Sequence, residues 1–294
     1  MSGGGASAVS HIGVLKALEE NDIPIDYITG TSMGALVGGL YAAGYSPQEI
    51  EKVFLSQQFK DWAEGNLDEK YIYYLREKNE NPSMITFKLE LDKLLETSIP
   101  TNLTSPTALD YGLMKYFAPS TAAAENNFDN LFIPFRCVAS DIVAKKPYVF
   151  NEGKLATAIR ASMSYPFYLT PVSHQDKLLF DGGLYNNFPA DVMIDDFNPG
   201  YIIGSNVSSN FEIPDEDNIV SQIKRMAADN TEYSIPEDVP SILIEPEASD
   251  FSLFDFDENK KLIEIGYNAT LQQIDEIKTG IQKRVIQEEL NAKR

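Results

Sequence analysis

The sequence predicts an α/β fold in which a mostly parallel central sheet is covered by helices on both faces. Three observations carry this expectation. Short apolar runs of strand length alternate with segments of helical periodicity. Several of those runs are apolar throughout, as strands buried on both faces are. A Gly-x-Ser-x-Gly pattern falls at one strand-to-helix junction, where such folds place a sharp turn. No internal repeat or low-complexity linker divides the 294 residues, so residues 1–294 are expected to form one domain.

Taken in order, the chain opens on Gly3-Gly4-Gly5, directly after Met1-Ser2. Val9, Ile12, Leu15 and Leu18 then recur at helical spacing and predict a helix over about 8–21. The run 23–28 reads as a buried strand ending in Gly30-Thr31-Ser32-Met33-Gly34, and a small-residue helix follows over 35–43. Ser46-Pro47-Gln48-Glu49 is a capping box with proline at the first helical position. From 60 to 127 the pattern loses regularity, and Trp62, Tyr71, Tyr73 and Tyr74 suggest an inserted, lid-like region. Strands are expected at 133–139, 147–150, 178–181, 201–204 and 241–244, and a helix at 154–163. His174 lies in a polar stretch between two apolar runs, the composition of a hairpin tip. The tail, 258–290, is an amphipathic helix with Ile263, Tyr267, Leu271, Ile274, Ile281 and Val285 on the face that packs on the domain.

The bulk numbers exclude several classes of function. Twenty-four basic residues stand against 44 acidic ones, a net charge of -20. That balance opposes nucleic-acid binding, which draws its affinity from phosphate neutralisation, and opposes strong docking on anionic lipid. No apolar run reaches the roughly 18 residues of a membrane-spanning helix, and no signal peptide precedes the glycines. The single Cys137 cannot form an intrachain disulfide and reads as a buried thiol. No spacing of His, Cys, Asp or Glu suggests a metal site, and no Lys-Ser/Thr pair follows the glycines as a nucleotide loop requires, so neither metal nor cofactor is called for.

The chemistry concentrates in three places. Gly30-x-Ser32-x-Gly34 has the context of a nucleophile elbow: glycines either side of a turn that exposes the hydroxyl at a helix N-terminus. A capping serine in a tight turn is the plainer reading of such a pattern. A serine needs a base, and the two histidines are poor candidates. His11 sits within the first helix, and His174 should lie about 10 Å or more from Asp181 along the strand. Asp181 itself ends an apolar strand before Gly182-Gly183, where a partly buried carboxylate could take the Ser32 proton directly. Gly3, Gly4 and Gly5, with the Met33 N–H, offer backbone donors for an oxyanion.

These residues together resemble the patatin-like phospholipase family, specifically its bacterial members. The resemblance rests on Gly3-Gly4-Gly5-Ala6, on 11–18, on Gly30 to Gly34 and on Asp181-Gly182-Gly183, with further matches at 133–141, 158–162 and 186–189. It covers roughly 2–208. It implies a three-layer α/β/α fold, a Ser32–Asp181 dyad, an oxyanion hole in the glycine-rich loop with Ala6 among its residues, and metal-independent hydrolysis of lipid acyl esters at a membrane or micelle surface. Two departures stand out. The family's loop usually reads Gly-Gly-Gly-x-Arg-Gly, where this chain has Ser7 and Ala8, and the family's apolar strand ahead of the glycines is missing. The second departure suggests a fragment or a shortened chain. Larger bacterial relatives carry a signal peptide and a C-terminal membrane barrel that this chain lacks, which leaves export and envelope association open. Oligomeric state is not readable. Two other readings remain at this point: a general esterase or thioesterase on soluble acyl chains, and a degenerate lipid- or partner-binding domain, motivated by Ser7 and Ala8.

Overall fold

The structure is a computed structural model that describes residues 1–66, 104–210, 216, 222, 228–248, 251, 254–281 and 287–294. It is a three-layer α/β/α arrangement in which nearly every predicted element appears. A 3₁₀ turn, Gly5–Val9, leads into α1 (Ser10–Glu20). β1 (Ile28–Thr31) follows, beginning where the expected strand 23–28 ends, because the Ile23 N–H still closes the turn after α1 on Leu18 O. Then come α2 (Met33–Ala42), α3 (Pro47–Phe54) and α4 (Gln57–Glu64). The Ser46/Glu49 capping box forms as read, with Ser46 N–H donating to Glu49 Oε2 at 2.8 Å.

The stretch expected to be irregular contains a 17-residue helix, α5 (Thr107–Ala123). Its buried stripe, Leu109, Leu113 and Phe117, is spaced four apart and was present in the sequence. Trp62 packs there, over Gly112 and against the Tyr116 ring at 5.6 Å. Tyr71, Tyr73 and Tyr74 lie outside the described residues.

Beyond α5 the chain forms β2 (Phe135–Asp141), β3 (Lys146–Phe150), α6 (Leu155–Ser162), β4 (Val172–His174) and β5 (Lys177–Asp181). α7 (Ala190–Phe197), β6 (Ile202–Ser205), β7 (Ser241–Ile244), α8 (Asn259–Gly280) and α9 (Gln287–Lys293) complete it. The single tail helix expected over 258–290 is two helices. Gly280 abuts the Tyr201 ring, and Ile281 turns into extended backbone.

The sheet is mixed rather than mostly parallel. β1 pairs parallel with β2, and β6 with β7, but β3 and β5 both run antiparallel to β2, and β4 antiparallel to β5. The cause is local. Two hairpins return the chain at once, one of them through Gln175 and Asp176, both at positive φ. Two successive residues of that kind make the turn whose twist matches antiparallel strands. Met1 and Ser2 join the two sheets. The Met1 N-terminus donates to Thr29 O and Thr31 N–H donates to Met1 O, whereas Ser2 N–H donates to Ser205 O on β6.

Candidate active site

The register of β2 positions the site. Val138 has Thr31 of β1 on one flank and Val149 of β3 on the other, and Ala139 has Asp181 of β5 and Tyr148 of β3. With β3 occupying one flank throughout, β1 and β5 share the other. They run toward each other and meet end to end between Val138 and Ala139. The residue after the end of β1 is Ser32, and the last residue of β5 is Asp181. Their side chains meet: Ser32 Oγ donates to Asp181 Oδ2 at 2.6 Å, across 149 residues of sequence.

Ser32 occupies the turn with φ 54° and ψ -127°, a conformation that a non-glycine residue holds only when its surroundings over-determine it. Two constraints do so. The Ser32 N–H donates to Ser162 Oγ at 2.7 Å, and that hydroxyl donates onward to Val138 O at 2.5 Å. On the other side, Gly34 lets α2 approach the N-terminal segment: a Cβ there would stand 2.3 Å from Ser2 O. Gly30 is needed for a similar reason, its Cβ position lying 2.7 Å from Gly34 O. Ser162 had been visible only as part of a matched stretch, with no signal of this task.

Asp181 is buried, 4% exposed, and burial pushes its carboxyl up to about 6. Hydrogen bonds from Ser32 Oγ and from Gly183 N–H, the latter to Oδ1 at 2.8 Å, favour the ionised form and hold the rise in check. Gly182 packs under Val138 O, where a Cβ would stand 2.2 Å away.

A cavity of about 180 Å³ opens over the pair, lined by Gly4, Gly5, Ser32, Met33 and Asp181. Gly4, Gly5 and Met33 N–H groups have no acceptor among the described residues. Gly3 differs from expectation: its N–H donates to Asn187 O at 3.1 Å, and the residue does not line the cavity. Ala6 is buried and also stands off the lining. The two departures from the family's loop face inward, Ser7 Oγ donating to Ala248 O at 2.8 Å and Ala8 fully buried. The lining includes the apolar side chains Trp62, Leu109, Met163, Leu169, Phe254 and Phe256, and the polar side chains Asn187, Asn210, Thr231 and Tyr233. A larger cleft of about 520 Å³ lies between β1 and β6, lined by Met1, Ile28 and Ile203, and contains neither Ser32 nor Asp181.

The histidines stand apart. His11 is buried between Ser205 Oγ at 2.7 Å and Ser2 O at 2.9 Å, and burial, reinforced by the N-terminal ammonium, lowers it to about 3. His174 packs on Tyr148 and Phe150 at the hairpin and pairs with Lys177, four strand residues from Asp181 or about 13 Å. Cys137 is buried in β2, which drives its thiol up to about 12. Among the described residues no cluster of metal-ligating side chains occurs, and no helix is long and apolar enough to cross a membrane.

Comparison with known proteins places the sequence. Residues 1–194 match the family described as patatin-like phospholipase. Human patatin-like phospholipase domain-containing protein 6 is 32% identical over 195 residues, 65% of this chain and 12% of that protein. Lysophospholipase NTE1 of Mycosarcoma maydis is 31% identical over 194 residues, 66% of this chain and 9% of its own length. This chain therefore spans about a tenth of those relatives. Among solved structures, VipD from Legionella pneumophila shares the fold at a TM-score of 0.52 and 14% identity, over 94% of this chain and 66% of that one. The expected family is thereby shown, and the sequence relatives given above are eukaryotic. On the match over residues 1–194, the chain belongs to the patatin-like phospholipase family.

Proposed function

We propose that this chain is a serine lipid acyl hydrolase of the phospholipase A or lysophospholipase type, working through Ser32 and Asp181 without a histidine. The observation that carries the reading is the 2.6 Å hydrogen bond from Ser32 Oγ to a carboxylate whose burial raises it toward neutrality. Asp181 takes the Ser32 proton as Oγ attacks the ester carbonyl carbon. The carbonyl oxygen becomes the oxyanion and is received by the N–H groups of Gly4, Gly5 and Met33. Collapse expels the alcohol, which leaves with the proton from Asp181 and leaves the acyl group on Ser32. Asp181 then deprotonates a water that hydrolyses the acyl-enzyme. The apolar side chains in the lining, Trp62, Leu109, Met163, Leu169, Phe254 and Phe256, suit an acyl chain. The relative from Mycosarcoma maydis is named a lysophospholipase, which supports the substrate class.

The test is a fluorophosphonate label together with turnover on phospholipid vesicles and on a short p-nitrophenyl ester. Labelling of Ser32 and vesicle hydrolysis are expected, with Ser32→Ala and Asp181→Asn each lowering kcat at least roughly 10³-fold and His174→Ala changing it less than about twofold. Turnover of the soluble ester with inert vesicles would favour a general esterase. A folded protein whose Ser32 takes no label would favour a binding domain.

A further inference from the structure

We infer that Asn187 is a positioning residue: its side chain sets the distance between the glycine loop and the turn that carries Asp181, and so fixes where the loop's N–H groups stand over Ser32. The inference rests on the proposed acyl-transfer function and concerns the same site.

Three segments converge on this amide. Gly3 sits so close that a Cβ there would lie 2.3 Å from Asn187 Oδ1 and 3.0 Å from Ser32 Cβ. A Cβ on Gly183 would lie 2.8 Å from the same Oδ1. The carboxamide oxygen therefore occupies the gap between the loop at Gly3, the turn at Gly183 and the nucleophile. It does not move freely there. Asn187 Nδ2 donates to Tyr233 Oη at 2.8 Å, and the Asn187 N–H donates to Thr231 Oγ1 at 3.0 Å. Thr231 is tied in turn to Asn210, whose amide accepts from Thr231 N–H at 2.7 Å and donates to Thr231 O at 3.0 Å.

The backbone of Asn187 acts on the loop as well. Its carbonyl accepts the Gly3 N–H at 3.1 Å, which turns that donor away from the cavity. With Gly3 engaged, Gly4 and Gly5 are the loop residues that face Ser32 with unspent N–H groups. Oxyanion stabilisation depends on donors fixed before charge develops, and an error of about 1 Å in placement can cost roughly 100-fold in rate. A loop made of three consecutive glycines has no side chains of its own to hold such a placement, so its neighbours must supply it: Ser208 Oγ donates to Gly3 O at 2.6 Å, and Asn187 packs between Gly3 and the Gly183 turn.

The experiment compares Asn187→Ala and Tyr233→Phe with the unaltered chain on a soluble p-nitrophenyl ester, and follows fluorophosphonate labelling of Ser32. Asn187→Ala is expected to lower kcat about 100-fold with KM within about threefold, and to slow labelling in parallel, since phosphonylation also builds charge on the loop-facing oxygen. The pH midpoint of the acid limb should stay in place, because Asp181 keeps its burial and both hydrogen bonds. Tyr233→Phe releases the amide without opening a cavity and is expected to lower kcat by a smaller factor, with no further loss when combined with Asn187→Ala. Should Asn187→Ala fail to fold, the Tyr233→Phe result decides. Wild-type kcat in folded Asn187→Ala, or in Tyr233→Phe when the former does not fold, overturns the inference while leaving the hydrolase reading intact. An equal rise in KM with unchanged kcat overturns it too, by making Asn187 a substrate contact. An unaltered chain that neither labels nor turns over removes both.

Discussion

Asp181, the proposed base, carries opposed demands, because the burial that would suit it to that role also penalises its charge. A carboxylic acid lifted to about 6 is half ionised at about pH 6 and mostly ionised at pH 7, so kcat/KM on a soluble ester should rise with pH along an acid limb centred near 6. A limb centred near 4 would mean that the group is solvated during catalysis. The same shift bears on stability. The folded carboxyl binds its proton more tightly than the unfolded one, so the penalty is present above about pH 6 and vanishes as pH falls toward 4. Asp181→Asn removes that charge but leaves an amide N–H₂ where the carboxylate accepted hydrogen bonds. The variant is expected to be inactive yet more stable by about 1 kcal/mol at pH 7.5, with the gap closing at pH 4.5. Urea denaturation at the two pH values measures this, and a wild type as stable as the variant at pH 7.5 contradicts it.

At the level of elements, β2 organises the site by pairing two strands in line along one flank. The ends of the two strands were visible as motifs: Gly30 to Gly34 at a strand-to-helix junction, and Asp181-Gly182-Gly183 after an apolar run. Their meeting was an expectation from the chemistry and the resemblance, with no local signal for the register that brings it about, because register is decided by partners that are distant in sequence. The α1–α8 crossing was equally hidden. Gly13 and Gly266 bring the helices into backbone contact, a Cβ on Gly13 standing 1.9 Å from Ile263 O and one on Gly266 standing 1.9 Å from Ser10 O. In the sequence Gly13 stood only within the matched stretch 11–18, and the partner helix explains it. Gly13→Ala should therefore lose about 3 kcal/mol by urea denaturation, despite alanine's better helix propensity. A stabilised variant would mean that the helices separate easily. Other elements were legible for local reasons, among them the Ser46/Glu49 cap and strand 241–244, since capping and apolar runs are short-range signals.

For the whole molecule, the net charge of -20 bears on the proposed action at a lipid surface, because the field of that charge opposes approach to anionic vesicles. Screening shortens that field from about 30 Å at 10 mM salt to about 8 Å at 150 mM. Hydrolysis of anionic vesicles should therefore rise several-fold over that range, while hydrolysis of zwitterionic vesicles changes little. Equal salt responses on both would separate lipid docking from net charge. From residue types and their local order came the α/β class and the candidate serine and aspartate, and from the resemblance of their motifs came the family, because turns, caps and apolar runs are written in neighbouring residues. Tertiary structure alone decided the mixed sheet, the 2.6 Å contact between Ser32 and Asp181, the turning of the Gly3 N–H toward Asn187, and the Ser162 brace. Each of these depends on how chain segments many residues apart are brought into register, and packing of the whole core, rather than any local preference, sets that register.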